Sequence, residues 1–208
     1  MRTERRAHWL AVAVLAIPAL QVLLFLVSWL INAASPESVV RSLLGSEGIR
    51  WFFGSFVDNV ASPPLVWMLV GAVAYGAVRE SGVIEAIRRS PAQRTYRQTF
   101  ALRMVLVQMI VFLAVWAAMA FLPHAPLLSA TGSLFPSSFS RSLIPSLAFC
   151  VGVGAVVYAV LAGGKQAPAD ILAVLTSGIR KAAPLILIYV MLSELVCSVA
   201  YVFRLSLP

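Results

Sequence analysis

Residues 51–78 read WFFGSFVDNVASPPLVWMLVGAVAYGAV, and this stretch determines how the chain can be arranged in a membrane. It is long enough to cross a bilayer, yet its first half carries residues that lipid does not accommodate: Asp58, Asn59, Ser62, Pro63 and Pro64. Hydrocarbon offers no partner to a carboxylate, an amide or backbone groups freed by proline, so a lipid-facing helix rarely contains them. The stretch is therefore predicted to be a broken membrane element.

The composition of the whole chain supports a membrane protein. Of its 208 residues, 61% are apolar and only 12% are charged, and the mean hydropathy is +0.91. This leaves too little polar surface to cover a water-soluble globule, so the predicted class is an all-α integral membrane protein. The net charge of +8 does not indicate nucleic-acid binding, because the Lys and Arg residues lie in short loops between apolar runs.

Five apolar stretches are predicted to cross the bilayer within a single transmembrane domain that covers residues 1–208. They are residues 9–31, 51–78, 100–122, 143–162 and 182–203. The first spans about 34 Å as a helix, enough for a hydrocarbon core of about 30 Å. A cleavable signal peptide is its competing interpretation, but the apolar run is too long and contains Pro18. Between the first two spans, Ser35 and Pro36 can begin a short helix, ending near Gly45 to Gly48, that is predicted to lie at the membrane interface.

The distribution of positive charge predicts the topology. With five crossings and the N-terminus inside, twelve of the sixteen Lys and Arg residues fall on the inner side, and the outer side retains Arg41, Arg50, Arg141 and Arg204. If residues 51–78 instead returned to their starting side, a loop with five arginines would lie outside, against the positive-inside rule. The predicted arrangement is therefore a complete crossing at 51–78, with the C-terminus outside.

Two carboxylates, Asp58 and Glu194, lie inside predicted spans, and each permits two interpretations. In the first, Asp58, Asn59 and Ser62 supply oxygens beside the Pro63–Pro64 break, helped by free amides of the following half-helix, and Glu194 is a protonatable carrier. In the second, Asn59 and Ser62 cap the half-helix and Glu194 is a hydrogen-bonded packing residue. The first interpretation makes all of these residues, with both prolines, part of a substrate or ion pathway.

Other polar and small residues in the spans indicate helix packing rather than chemistry. Gln108 is predicted to join helices by a hydrogen bond, and Ala72 with Gly76, like Ala155 with Ala159, has the small-xxx-small spacing of close helix contacts. Cys150 and Cys197 lie in apolar segments without disulfide or metal-ligand spacing. No nucleophile motif or histidine pair occurs, so neither an enzyme nor a metal or organic cofactor is predicted.

An ordered set of residues around the break is similar to a known family. It comprises Ser42-Leu43-Leu44, Gly48-Ile49-Arg50-Trp51, Asn59, Pro64-Leu65 and Arg79-Glu80-Ser81-Gly82. Through these residues, the segment 35–89 resembles the p-aminobenzoyl-glutamate transporter family, the AbgT-type secondary transporters. A second block, residues 132–202, is similar in the order of a Gly-Ser-Leu, a Pro-containing span, a loop with Asp170, and a span in which Glu194 stands at the family's Gln position.

The resemblance implies a multi-pass protein of the bacterial inner membrane that moves p-aminobenzoyl-glutamate or a related small organic anion or drug. It also implies coupling to a cation, Na⁺ or H⁺, and a homo-oligomer in the lipid bilayer. The family's members are more than twice as long, and most of their substrate residues have no counterpart here, so only Asn59 and its proline break carry over. Two hypotheses follow: an oligomeric transporter or transporter half, and a non-transporting interaction or regulatory protein derived from one.

Overall fold

The computed structural model describes residues 2–35, 37, 39–121, 138–164 and 167–205. Within these ranges the chain is helical and contains no strand, which confirms the predicted all-α class. The helices are α1 (Arg2–Ala34), α2 (Ser46–Gly54), α3 (Phe56–Val60), α4 (Pro63–Glu80), α5 (Val83–Arg88), α6 (Tyr96–Phe121), α7 (Ser138–Leu161) and α8 (Pro168–Phe203). A 3₁₀ turn at Pro91–Gln93 lies between α5 and α6.

Four of these helices, among the described residues, are long and apolar enough to cross a membrane. They are His8–Ala34, Tyr96–Met119, Arg141–Leu161 and Pro168–Phe203. They agree with four of the five predicted spans, although the predicted end of one, residue 122, lies outside the described residues. The chain is thus a membrane-embedded helical protein, while the fifth crossing and the orientation of the termini stay predictions.

The predicted span at residues 51–78 is not one helix. It comprises the end of α2, the short α3 and most of α4, and the chain breaks at Ala61 and Ser62. The predicted broken element is therefore confirmed. The 18 residues of α4 begin with two prolines and end with Arg79 and Glu80. Its apolar part is therefore shorter than in the four membrane-length helices, and α4 is not one of them.

One predicted boundary and one predicted helix differ from the structure. The last helix begins at Pro168, well before the start of the predicted span at residue 182, because proline suits the first helical position and Asp170 lies in the first turn. At 36 residues, α8 is about 54 Å long, well beyond the hydrocarbon core of about 30 Å. The predicted interfacial helix is also absent from the described residues 39–45, and a helix begins only at Ser46.

Tertiary hydrogen bonds explain why residues 39–45 are not helical. The backbone N–H of Leu43 donates to the Ser28 hydroxyl at 3.1 Å, and its side chain is fully buried. The N–H of Arg41 donates to the carbonyl of Val202 at 3.0 Å, and the Asn32 amide donates to the carbonyl of Val40 at 3.2 Å. Partners on α1 and α8 replace the bonds that a helix would supply. Pro36, the predicted first residue of the interfacial helix, lies outside the described residues.

The chain forms two compact units. The first comprises residues 1–65 and 183–208, and the second comprises residues 66–182. Helices α4 and α8 contribute residues to both. The predicted single transmembrane domain stays a prediction.

The second unit contains a close contact between α4 and α8. Gly76 of α4 lies against the backbone of Gly178 in α8, and a Cβ atom added to Gly178 would overlap the carbonyl oxygen of Ala72. The predicted small-residue packing at Ala72 and Gly76 is therefore confirmed, although the sequence did not indicate Gly178 as the partner. In the same unit, α6 packs against α7, and the Gln108 amide donates to the carbonyl of Cys150 at 3.2 Å, as predicted for a residue that joins helices.

Candidate functional site

The candidate site lies in the first unit, where the broken element meets the second half of α8. Pro63 and Pro64 cause the break, because proline has no N–H and restricts the residue before it. Helix α3 ends with the N–H of Ala61 donating to the Val57 carbonyl at 2.7 Å, and α4 begins with the N–H of Leu65 donating to the Ser62 carbonyl at 3.1 Å.

This start of α4 leaves few amides for a ligand. Its first two residues are Pro63 and Pro64, which have no N–H, and the next amide is used by the Ser62 carbonyl. A helix N-terminus binds anions through free N–H groups, and here the fourth, that of Ser62, donates to the Val60 carbonyl at 2.8 Å, so all four are missing or occupied. The predicted contribution of half-helix amides to a site therefore has little support from this geometry.

Asn59 and Glu194 form the central contact of the site. The Asn59 side-chain amide donates to both carboxylate oxygens of Glu194, at 3.2 and 3.4 Å. Glu194 is only 5% exposed. The backbone carbonyl of Asn59 in turn accepts a hydrogen bond of 2.6 Å from the Ser193 hydroxyl. Two adjacent residues of α8 thus hold the side chain and the backbone of Asn59, one turn before the break.

A second polar contact joins the break to α8, since the hydroxyls of Ser62 and Tyr189 are hydrogen-bonded to each other. Tyr189, Ser193, Cys197 and Tyr201 follow one another at intervals of four residues and so lie along one side of α8. Sequence reasoning missed Tyr189 as a partner of Ser62. The signal in the sequence was the four-residue spacing of these side chains, which places hydroxyl and thiol groups along one side of an otherwise apolar helix.

The structure brings together three of the six predicted pathway residues: Asn59, Ser62 and Glu194. Asp58 is exposed although it adjoins Asn59 on α3, and the rings of Pro63 and Pro64 are exposed at the start of α4. The prolines therefore act on the backbone, whereas the polar contacts come from Asn59 and Ser62. No group of three or more His, Cys, Asp or Glu residues suitable for a metal ion occurs in the part of the chain that the structure describes.

Helix α1 extends the polar cluster by one residue. The Gln21 side-chain amide donates to the Ser198 hydroxyl at 2.8 Å, and Ser198 is fully buried. Ser198 follows Glu194 by one helical turn and lies on the same side of α8. The side-chain oxygen of Gln21 is buried and has no hydrogen-bond partner among the described residues. Such an oxygen is costly to bury unpaired, and it offers an acceptor to a donor or a cation.

A cavity of about 420 Å³ adjoins this cluster within the first unit, and Asn59 belongs to both. Its lining residues are Arg41, Trp51, Asn59, Cys197, Ala200, Tyr201, Arg204 and Leu205. The rings of Trp51 and Tyr201 are stacked, with centroids 4.2 Å apart and planes inclined by 16°, and the Arg41 guanidinium lies 5.3 Å from the Tyr201 centroid. Among the described residues, its lining contains two arginines and no carboxylate, and Glu194 lies behind the Asn59 amide.

Comparisons with known proteins add no further assignment. No protein-family model, curated protein or solved structure matches the chain. A function can therefore be inferred only from the residues of the site and from the resemblance in sequence.

Proposed function

We propose that this chain is an AbgT-like secondary transporter, or half of one, that moves p-aminobenzoyl-glutamate or a related small organic anion or drug across the bacterial inner membrane. The observation that supports it is the contact between Glu194, a buried carboxylate in a membrane-length helix, and Asn59 beside a helix break. Ionisable residues inside membrane segments commonly serve ion or proton pathways. The substrate class follows from the sequence resemblance.

In this proposal, Glu194 carries the coupling cation. An ionised carboxylate accepts hydrogen bonds, whereas a protonated one also donates, so binding H⁺ changes what the Asn59 amide can contact. A Na⁺ ion would act similarly by taking lone pairs of the same oxygens. Because Asn59 lies in the turn before the break, a change in this contact is transmitted to the point where two consecutive prolines interrupt the helical hydrogen bonds. Occupancy of Glu194 thereby biases the position of α3 relative to α8.

The transporter acts as a homo-oligomer in this proposal. Transporters with inverted repeats form their sites between two halves, and this chain resembles about one half. The predicted charge bias, twelve Lys and Arg inside against four outside, favours copies inserted in the same direction. Cross-linking in native membranes tests this part, and a strictly monomeric protein contradicts it.

Transport into vesicles tests the function directly. Labelled p-aminobenzoyl-glutamate is supplied to vesicles containing the wild type, Glu194→Gln or Asp58→Asn, under imposed Na⁺ and H⁺ gradients. We expect gradient-driven transport to fall at least tenfold in Glu194→Gln, because an amide cannot bind a coupling proton. Asp58→Asn is the matched control, since it neutralises an exposed carboxylate of the same element, and it should transport normally. Undiminished, gradient-dependent transport by Glu194→Gln would refute the assignment.

A second function, as a non-transporting interaction or regulatory protein, is favoured by one feature of the same site. The Asn59 side chain, the Asn59 carbonyl and the Ser62 hydroxyl all have partners on α8. Such mutual hydrogen bonding is also what a permanently closed structural contact requires. If folded wild-type protein transports none of the tested anions under either gradient, this second function is supported.

A further inference from the structure

We propose that the cavity at the C-terminal end of α8 binds the phosphate of an anionic phospholipid through Arg41 and Arg204. The proposal does not require transport. Asn59 lines this cavity and also contacts Glu194, but the structure describes no hydrogen bond from either arginine to that pair. It assigns a role to two of the four arginines that the charge distribution places on the side poor in positive charge.

The chemistry of the lining favours a phosphate. Arginine presents a planar set of N–H donors that matches phosphate oxygens, and the described residues that line the cavity include Arg41 and Arg204 but no carboxylate to pair with them. The Tyr201 ring, stacked on Trp51, supports the Arg41 guanidinium from one face by a cation–π contact. This contact orients the side chain, and its N–H groups, which donate to no acceptor among the described residues, point along the plane of the guanidinium.

The backbone at Arg204 is a second and independent observation. Its φ of 54° lies in the left-handed region. The N–H of Leu205 donates to the Ala200 carbonyl at 2.9 Å, and the N–H of Arg204 donates to the Tyr201 carbonyl at 3.4 Å. This is a Schellman motif, in which the left-handed position is usually glycine. A residue with a Cβ atom is strained there, and strain of this kind concentrates at functional sites.

The surroundings favour a lipid over a soluble phosphate. The membrane-length helix ends at Phe203, so Arg204 is the first residue beyond its apolar run. Trp and Tyr are enriched at the boundary between hydrocarbon and headgroups, and Trp51 and Tyr201 form the wall of this cavity. The side chains that flank Arg204, Phe203 and Leu205, are apolar and exposed, at 48% and 59%. An acyl chain covers such side chains, whereas a free phosphate ion does not.

Thermal unfolding of the full-length protein in nanodiscs tests the site. Discs of phosphatidylcholine are compared with discs that contain phosphatidylglycerol, because a ligand that binds only the folded state raises the melting temperature. For the wild type we expect phosphatidylglycerol to raise it by roughly 5 °C. Arg41→Gln should lose this shift. The matched control Arg50→Gln, an exposed arginine of α2 outside the lining, should keep it.

Arg204→Gly distinguishes loss of binding from loss of folding. Glycine removes the guanidinium and also relieves the left-handed backbone, so in phosphatidylcholine this variant should melt at a temperature equal to or above that of the wild type. Phosphatidylglycerol in the discs should not raise the melting temperature of this variant above its value in phosphatidylcholine. If Arg41→Gln and Arg204→Gly both retain the full shift, the proposal is overturned.

The source of the phosphate is tested on the same protein. Inorganic phosphate, added to phosphatidylcholine discs, should leave the melting temperature unchanged. A full, arginine-dependent shift with inorganic phosphate would overturn the lipid assignment. Glu194→Gln should retain the phosphatidylglycerol shift, so failure of the lipid proposal and failure of the transport proposal give different results.

Discussion

Helix α8 takes part in two kinds of contact, one in each unit of the chain. In the second unit, Gly178 meets Gly76 and Ala72 of α4 with backbone against backbone. In the first unit, Glu194 and Ser193 contact Asn59 through side-chain hydrogen bonds. The same helix therefore uses steric fit in one unit and polar side chains in the other.

The difference shows which contact is able to change. Apolar surfaces gain little by associating within lipid, so helices there depend on close packing and on interhelical hydrogen bonds. A contact between glycines has no alternative arrangement, because it consists of backbone atoms at minimal separation. A carboxylate that accepts a hydrogen bond from an amide can instead bind a proton, coordinate a cation or accept from water. This is why a function is placed at Glu194 and a structural role at Gly178.

The largest effect is expected from Gly178→Ala. The added Cβ atom overlaps the Ala72 carbonyl, and backbone atoms cannot move aside as a side chain does. We expect a loss of about 3 kcal/mol in stability, the upper part of the usual range for overpacking. Thermal unfolding followed by circular dichroism in detergent measures it, as a fall in melting temperature of roughly 6–12 °C.

Gly71→Ala is the control for this steric argument. Gly71 lies on α4, and a Cβ atom there meets no atom within 4 Å. Alanine in a helix is more favourable than glycine by roughly 0.5–1 kcal/mol, so this variant should be slightly more stable than the wild type. Equal melting temperatures for the two alanine variants would show that the glycine contact is not close.

The next effect is expected from Asn59→Ala, which leaves the buried Glu194 carboxylate without its amide donor. Loss of a partner to a buried polar group costs about 1–3 kcal/mol. A double-mutant cycle with Glu194→Gln isolates the contact, and we expect a coupling energy of about 0.5–2 kcal/mol. Asp58→Ala, at the exposed neighbouring position, should change stability by less than about 0.5 kcal/mol. Additive effects of the two substitutions would mean that Asn59 and Glu194 do not interact.

A smaller loss is expected from Ser28→Ala. The Ser28 hydroxyl accepts from the buried backbone N–H of Leu43, and alanine leaves that N–H unpaired. We expect a destabilisation of about 1 kcal/mol, seen in the same melting experiment. Limited proteolysis should cleave residues 39–45 faster in this variant. Unchanged cleavage there would show that the hydrogen bond does not hold the segment.

The smallest effect is expected from Gln108→Met. Gln108 donates to the Cys150 carbonyl, but its own side-chain oxygen is buried and has no hydrogen-bond partner among the described residues. Methionine removes the helix-joining bond and the unpaired acceptor together, so the two contributions offset to within about 0.5 kcal/mol. A loss of stability comparable to that of Asn59→Ala would contradict the difference between the units, because a polar contact would then stabilise the second unit as much as the first.

Composition and local chemistry were sufficient to predict several features. An apolar content of 61% leaves no soluble alternative, and consecutive prolines at 63 and 64 must interrupt a helix, because they lack N–H groups. The spacing of Ala72 and Gly76 predicted a close helix contact for a similar local reason. The carboxylate of Glu194 within an apolar run was visible as a candidate because such residues are rare.

Features that depend on distant residues were not predictable in this way. The sequence predicted a helix after Ser35, but the bonds from Leu43 to Ser28 and from Arg41 to Val202 occupy that segment's backbone instead. The sequence also made Asp58 and Asn59 equal candidates for the site, but only Asn59 contacts Glu194, and Asp58 is exposed. Neighbouring residues on a helix lie about 100° apart, so which one meets a partner depends on how the helix is packed.

By itself, the sequence determined that this is a helical membrane protein with a break at Ser62-Pro63-Pro64 and a carboxylate inside its last helix. Those features follow from transfer energies and backbone geometry, which act residue by residue. Only the tertiary structure decided that Asn59 contacts Glu194, that Gly178 meets Gly76, and that Arg41 and Arg204 share one cavity. These contacts join residues about 100 or more positions apart, and the packing of the helices, rather than any local preference, selects them.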